Sequence, residues 1–274
     1  MDENVPNVAH YTDSLRSIIA EASAAVMNIY QQDFSVREKQ DKSPLTEADI
    51  AAHRIIISGL SAIASFPVLS EEGSNISWSE RKCWDEYWLV DPIDGTKEFI
   101  KKNGEFTINI ALISCGSPVL GIVSAPAKGV TFFGAQNVGA WKESNKGVVE
   151  AIKPKRPPRS EWKIVGSRSH NSDAAIQLAE SLPGSKFVSM GSSLKLCSVA
   201  EGKADIYPRF GPTSEWDTAA AQAVVEASGG KVLTLDLMPL RYNAKESLLN
   251  PYFIVCSDID AAWADSIRAL SFDE

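Results

Sequence analysis

Apolar residues recur at helical spacing near the start of the chain. Leu15, Ile18, Ile19, Ala22, Val26 and Ile29 fall on one stripe between Val8 and Tyr30, and the spacing predicts a long amphipathic helix. A second helix is predicted from Thr46 to Ile63, with Thr46-Glu47-Ala48-Asp49 as a capping box at its start. The apolar runs then shorten. Tyr87 to Val90 reads as a strand running into an Asp-Pro turn. Phe106 to Ile113 and Pro118 to Ser124 read as strands joined by Cys115-Gly116-Ser117, and Val130 to Phe133 as a further strand.

Lys142 to Glu161 is poor in large apolar residues and contains Lys153-Pro154-Lys155-Arg156-Pro157-Pro158-Arg159, so it is the expected boundary. The prolines favour a solvated linker there over a polyanion-binding run. Beyond it, strand and helix alternate. Strands are expected at Trp162–Gly166, Ala204–Phe210, Lys231–Leu235 and Tyr252–Cys256. Helices are expected at Ser172–Leu182, Ser193–Glu201, Trp216–Ser228 and Ile259–Leu270. The pattern predicts an N-terminal α+β domain over residues 1–155 and a C-terminal α/β domain over 156–274.

Composition adds limits. With 274 residues, 44% of them hydrophobic, the chain can bury a sizeable core without staples. A net charge of −8 argues against a partner that is a nucleic-acid polymer. It leaves room for an anionic small molecule, because bound cations reverse the local field. The four cysteines are far apart and form no C-x-x-C pair, which points to a reduced, cytoplasmic protein. No signal peptide or transmembrane segment is expected: the N-terminus is polar, and the longest uncharged stretch, Ile55 to Leu69, is short and interrupted. The three histidines form no H-E-x-x-H zinc motif.

Candidate chemistry centres on Asp91-Pro92-Ile93-Asp94-Gly95-Thr96. Two carboxylates three residues apart at the end of an apolar strand can converge, and a hard cation such as Mg²⁺ is their natural partner. Glu71 and Glu72 follow another apolar stretch. Asp217 and Asp49 can each be a metal-site acid or simply a helix cap, with Ser214 and Thr46 as their capping partners. Gly191-Ser192-Ser193 precedes a predicted helix, so its N–H groups can face a phosphate, with Lys195 just beyond. Ser167-Arg168-Ser169-His170 and Tyr207-Pro208-Arg209-Phe210 end predicted strands. Cys197 reads as helix packing, since no acid–base partner lies near it in sequence.

Together, Glu71, the Asp91–Thr96 segment and Trp216-Asp217-Thr218-Ala219-Ala220-Ala221 resemble the inositol monophosphatase superfamily of lithium-sensitive phosphatases. Four stretches resemble its 3′(2′),5′-bisphosphate nucleotidase branch: Asp41–Asp49, Asp94–Phe99, Gly191–Lys195 and Tyr207–Thr213. Inositol-type members typically carry Thr-Asn-Phe where this chain has Thr96-Lys97-Glu98-Phe99.

The resemblance implies a layered α/β/α/β/α sandwich with its site between the two halves. It implies two Mg²⁺ ions, with a third when substrate is bound. Glu71 and the Ile93 carbonyl would hold the first, Asp91 would bridge, and Asp94 and Asp217 would complete the second. Thr96, assisted by Asp49 or Glu71, would orient and deprotonate the attacking water. Gly95, Thr96, His170, Ser192, Lys195, Arg209 and Asp217 would contact substrate.

The substrate implied is adenosine 3′,5′-bisphosphate, with 3′-phosphoadenylyl sulfate and the 2′-isomer as further candidates. An inositol-1-phosphatase or fructose-1,6-bisphosphatase on the same scaffold is the alternative enzyme. A metal-dependent nucleotide-binding protein without turnover is the non-enzymatic one, and the full acid set with Thr96 argues against it. A phosphoenzyme on Asp91 is disfavoured because the spacing is Asp-x-x-Asp rather than Asp-x-Asp. A homodimer and peripheral attachment at the cytoplasmic face of the inner membrane stay open.

Overall fold

The structure is a computed structural model that describes residues 8–38, 44–73, 75–155, 160–167, 173–259 and 261–268. After a 3-10 turn at Val8–Tyr11 come α1 (Thr12–Tyr30), β1 (Val36–Glu38), β2 (Pro44–Thr46) and α2 (Glu47–Ile63). Then follow β3 (Val68–Ser70), α3 (Trp78–Arg81), β4 (Glu86–Asp94), α4 (Thr96–Ile100), β5 (Thr107–Ser114) and β6 (Ser117–Ala125). Next are β7 (Val130–Ala135), β8 (Gly139–Ser144) and β9 (Val149–Ala151). The C-terminal half holds β10 (Lys163–Ser167), α5 (Asp173–Ser181), β11 (Lys186–Met190), α6 (Leu194–Ala200) and β12 (Ile206–Arg209). It ends with α7 (Ala219–Ser228), β13 (Lys231–Thr234), β14 (Phe253–Cys256) and α8 (Ala261–Arg268).

Strands β3 to β9 form a seven-stranded sheet in chain order, parallel at β3–β4 and antiparallel elsewhere. A five-stranded mixed sheet has the order β11-β10-β12-β14-β13. Both sheets have helices on both faces, which is why their strands read as near-continuous apolar runs. Period-2 alternation sorts each strand between two cores. In β4, Trp88 and Val90 pack with Leu15, Ile19 and Ala52 of α1 and α2, whereas Tyr87 and Leu89 face the middle layer of α6 and α7. In the smaller sheet Val165, Tyr207 and Val255 face that same middle layer. Ile164, Ile206 and Ile254 face α5 and α8, with Leu178 and Trp263. The result is the α/β/α/β/α sandwich.

The middle layer sits close. A Cβ on Gly121 would lie 2.1 Å from the Ala220 carbonyl oxygen, and one on Gly134 2.5 Å from the Val224 Cα. Only glycine lets α7 seat on β6 and β7 this way.

Several expectations need correction. The segment Lys142–Glu161 is not wholly a linker, because it contains half of β8 and all of β9. β9 is an exposed edge strand and the Lys142–Ser144 part of β8 beside it is half-buried, so this stretch needs little apolar content. The strand β11 escapes the pattern for the same reason, since Lys186 to Ser189 are exposed. β3 is too short to register. β4 does not end at Val90 but continues to Asp94, with Pro92 at a bulge, where its missing N–H is tolerated. The expected helix at Trp216 begins as a 3-10 turn, Glu215–Asp217, before α7. The end of the expected helix Ile259–Leu270, and the Arg156–Arg159 part of the basic run, lie outside the described residues.

Candidate active site

The bulge in β4 decides the geometry of the acid pair. Asp91 pairs with Asn109 and Asp94 with Thr107, so three steps on β4 match two on β5. In a regular strand residues i and i+3 point to opposite faces. The extra residue returns Asp94 to the face of Asp91. Asp217 arrives from the other half of the chain, on the 3-10 turn before α7. Carboxylate oxygens of Asp91, Asp94 and Asp217 lie within 4.8 Å of one another.

Each acid is fixed by the backbone. The Ile93 N–H donates to Asp91 Oδ1 at 3.0 Å, the Ser193 N–H to Asp94 Oδ2 at 2.5 Å, and the Ser214 N–H to Asp217 Oδ2 at 2.9 Å. The last bond belongs to the capping box expected at Ser214. Asp91 is 1% exposed, and its Oδ2 is buried with no hydrogen-bond partner.

Burial pushes the Asp91 carboxyl well above the usual carboxylate range, and the charges of Glu71, Asp94 and Asp217 push it further. Burial and Asp94 do the same to Asp217, against the Ser214 N–H. Burial raises Asp94 to about 6, opposed by Lys195 and the Ser193 N–H. A buried cluster of oxygen ligands with an orphaned acceptor, its charge only partly offset by Lys195 and Arg209, fits a hard divalent cation. Glu71, in a turn after β3, is not one of the three clustered aspartates but acts on all three through its charge, and on Asp91 also through a side-chain hydrogen bond.

Asp49 and Thr96 meet beside this cluster. The capping box at α2 forms, with the Thr46 N–H and hydroxyl donating to Asp49 Oδ2 at 2.7 and 2.6 Å. That leaves Oδ1 facing Thr96, whose hydroxyl lies 3.4 Å from it and 3.3 Å from the Ile93 carbonyl oxygen. So Asp49 caps α2 and also contacts Thr96. Gly95 opens α4 at φ +92, and a Cβ there would come within 3.1 Å of the Glu105 carbonyl oxygen.

Cations line the same cavity as the acids. A cavity of about 140 Å³ is lined by Asp94, Gly95, Ser192, Lys195, Arg209 and Asp217, among others. Lys195 is 7% exposed and donates to the carbonyl oxygens of Ser192 at 2.6 Å and Met190 at 3.4 Å. Burial lowers it to about 8, against the pull of Asp94 and with a further push from Arg209. Arg209 donates to the Pro212 carbonyl oxygen at 2.6 Å, and its Nε is buried without a partner. Ser192 holds a left-handed backbone, φ +51, at the turn into α6. His170 lies outside the described residues, as do Arg168 and Ser169. Cys197 is buried in α6, and burial pushes its thiol up, away from nucleophilic use.

Four further residues emerge from the structure. The Ser193 hydroxyl donates to Asn109 Oδ1 at 2.8 Å and lies 2.8 Å from the Thr107 hydroxyl, which is 3.5 Å from Asp94 Oδ2. This buried network joins β5 to the turn before α6. Its signal was two polar residues, Thr107 and Asn109, at i and i+2 within an apolar strand. Thr213 lines the cavity with a buried, unpartnered hydroxyl oxygen; it ends one of the stretches that carry the resemblance, but no periodicity or capping pattern marked it.

With two sheets closing an acid cluster between them, the architecture is that of one phosphatase family. The chain belongs to the inositol monophosphatase family, whose model matches residues 7–267. It is 49% identical over 239 residues to the 3′(2′),5′-bisphosphate nucleotidase CysQ of Salmonella typhimurium, covering 85% of this chain and 94% of that one. To CysQ of Escherichia coli K12 it is 47% identical, over 89% and 98% of the two chains. The structure of CysQ from Bacteroides thetaiotaomicron superposes with a TM-score of 0.80 at 42% identity, over 92% of this chain and all of that one. An inositol monophosphatase from Anabaena shares the fold, with a TM-score of 0.75 at 23% identity over 96% of each chain.

Proposed function

We propose that this chain is a magnesium-dependent phosphomonoesterase that converts adenosine 3′,5′-bisphosphate to AMP and phosphate, recycling that nucleotide in sulfur assimilation in the cytoplasm. The observation that carries the reading is one cavity lined by both acids, Asp94 and Asp217, and cations, Lys195 and Arg209. The acids call for cations that hold one phosphate. The buried cations suit a second anionic group on the same substrate. The similarity to bisphosphate nucleotidases across most of the chain supports a nucleotide substrate. Among the described residues, no helix is long and apolar enough to cross a membrane.

In this reading residues 1–155 carry most of the metal ligands, and residues 156–274 carry Asp217 and the nucleotide contacts. Glu71, the Ile93 carbonyl and Asp91 would hold one Mg²⁺. Asp91, Asp94 and Asp217 would hold the second, and a third would join with substrate. When bound, such ions lower the pKa of water and stabilise the leaving oxygen of an in-line displacement. The protein's own part is positioning and proton transfer. Thr96 donates its hydroxyl proton towards Asp49 Oδ1, which turns its lone pairs to the attacking water. Asp49 or Glu71 then accepts the water's proton. Lys195, Arg209, Ser192, Gly95 and His170 would hold the nucleotide and its 5′-phosphate.

The test is phosphate release from adenosine 3′,5′-bisphosphate, its 2′-isomer, 3′-phosphoadenylyl sulfate, inositol 1-phosphate and fructose 1,6-bisphosphate, with Mg²⁺ and with or without Li⁺. The bisphosphorylated nucleotide should turn over fastest, and Li⁺ should inhibit. Faster turnover of inositol 1-phosphate would overturn the substrate, and full activity after chelation would overturn the metal.

A further inference from the structure

The turn that carries Asp217 is gripped from behind by a segment with no place in the chemistry above. Residues Asn243–Asn250 have no helix or strand, and Ala244 to Ser247 are exposed. Yet the segment bonds to three successive residues of the turn. The Asn250 N–H donates to the Thr213 carbonyl oxygen at 2.8 Å. Asn250 Nδ2 donates to the Ser214 carbonyl oxygen at 2.8 Å and to Thr218 Oγ1 at 3.0 Å. The Glu215 N–H donates to the Leu248 carbonyl oxygen at 2.8 Å. Ser214 therefore has its carbonyl held by Asn250 while its N–H holds Asp217.

The other end of the segment is tied to the chain that carries Glu71. Arg81, at the end of α3, is 2% exposed. It donates to Asn243 Oδ1 at 2.7 Å, to the Lys245 carbonyl oxygen at 3.3 Å and to the Glu246 carbonyl oxygen. Asn243 answers with its Nδ2 on the Arg81 carbonyl oxygen and its N–H on Glu215 Oε2 at 2.9 Å. Burying a guanidinium is costly unless its donors are bonded, and here the loop supplies the acceptors, which fixes the loop against α3.

Asp91 and Asp94 share one strand, so their separation is fixed by β4. Asp217 comes from another part of the chain and is repelled by Asp94 and Glu71. Something must hold it in place before a cation arrives. We propose that the Asn243–Asn250 segment is a strap, pinned by Asn250 and Arg81, that holds Asp217 against Asp91 and Asp94 and so sets the affinity of the acid cluster for divalent cations. Asn250 and Arg81 are positioning residues, acting through Ser214 and the strap. The inference rests on the metal-site reading of the preceding section.

The experiment titrates the substrate-free protein with Mn²⁺, reading free Mn²⁺ by electron paramagnetic resonance, beside Mg²⁺-dependent kinetics. Asn250→Ala should raise the Mn²⁺ Kd and the Mg²⁺ half-saturation together, by about tenfold, the scale of one lost buried hydrogen bond. At saturating Mg²⁺ both kcat and nucleotide KM should return to within about twofold, since the reacting groups are untouched. Arg81→Ala should do the same from a site remote from the acids, and carries the test if Asn250→Ala does not fold. A lower melting temperature with unchanged Mn²⁺ affinity in a folded variant overturns the strap and leaves the metal site standing. No Mn²⁺ binding by the unsubstituted protein overturns the metal site itself, and the strap with it.

Discussion

The two walls of the cavity are built on opposite principles. On the acid wall every aspartate is held by a backbone N–H, yet Asp91 keeps an unpartnered oxygen and the charges repel one another. On the cationic wall Lys195 and Arg209 donate to carbonyl oxygens of their own turns, at Ser192, Met190 and Pro212. The acids repel one another around an unpartnered oxygen, whereas the cations already hold carbonyl oxygens that an anion can replace, with only Arg209 Nε left unpartnered. A wall of the first kind stores repulsion that a bound cation relieves. A wall of the second kind already has carbonyl partners and gains mainly the difference between a carbonyl and a phosphate partner. Losing a group from the first wall should therefore be far more damaging.

Asp91→Asn is the largest expected effect. Removing the charge proposed to bridge the two cations should lower kcat by about three orders of magnitude or more, the scale of a preorganised electrostatic group. The same substitution should raise the melting temperature of the metal-free protein, because it removes the most repelled carboxylate. Near-normal turnover would break the contrast between the walls. Thr96→Val comes next. It keeps the shape but deletes the hydroxyl between Asp49 and the water, and kcat should fall by roughly 10²–10⁴-fold with little change in KM. Thr96→Ser should retain most activity.

Lys195→Ala is smaller. Its loss should cost about 10- to 100-fold in kcat/KM for the bisphosphate, carried by KM, which is the range of one charge-assisted hydrogen bond. A monophosphate should lose much less. Equal losses on both would show that the cationic wall does not read the second phosphate.

The smallest effect sharpens the comparison through pH. The folded pKa of Asp94 lies above its ordinary value, so the folded protein binds more protons than the unfolded chain between about 3.8 and about 6. Stability of the metal-free protein should fall as pH rises through that window. Asp91 and Asp217, raised still further, extend the fall to higher pH. Lys195 has its folded pKa lowered from 10.5 to about 8, so stability should rise with pH between those values. Thermal melts with a chelator should show a fall of roughly 5 °C across the acid window. Excess Mg²⁺ should abolish that fall, since cations favour the charged acids.

Much of the fold was legible because it is written in local periodicity. The stripe of Leu15, Ile18, Ile19, Ala22 and Val26 became the buried face of α1, and the runs at β5, β6 and β7 became strands close to the expected bounds. Edge strands were not legible, since β9 and most of β11 are exposed and exposure erases the apolar signal. The capping boxes at Thr46 and Ser214 were readable because a cap needs only residues three apart. Their second use was not, since Thr96 meets Asp49 across 47 positions of chain. Ser193 also went unread as a partner of Asp94, its contact being 99 positions distant.

By itself, the sequence determined which segments carry the acids, the turn chemistry around each, and the faces that helices and strands would bury. These depend on periodicity and short-range hydrogen bonds, which a linear chain displays. The tertiary structure alone decided that a one-residue bulge turns Asp94 back to the face of Asp91. It also decided that a turn some 120 residues away delivers Asp217 to the same point, and that burial drives the acids up while drawing Lys195 down. Charge interactions and desolvation grow with proximity in space, and proximity is what only the fold supplies.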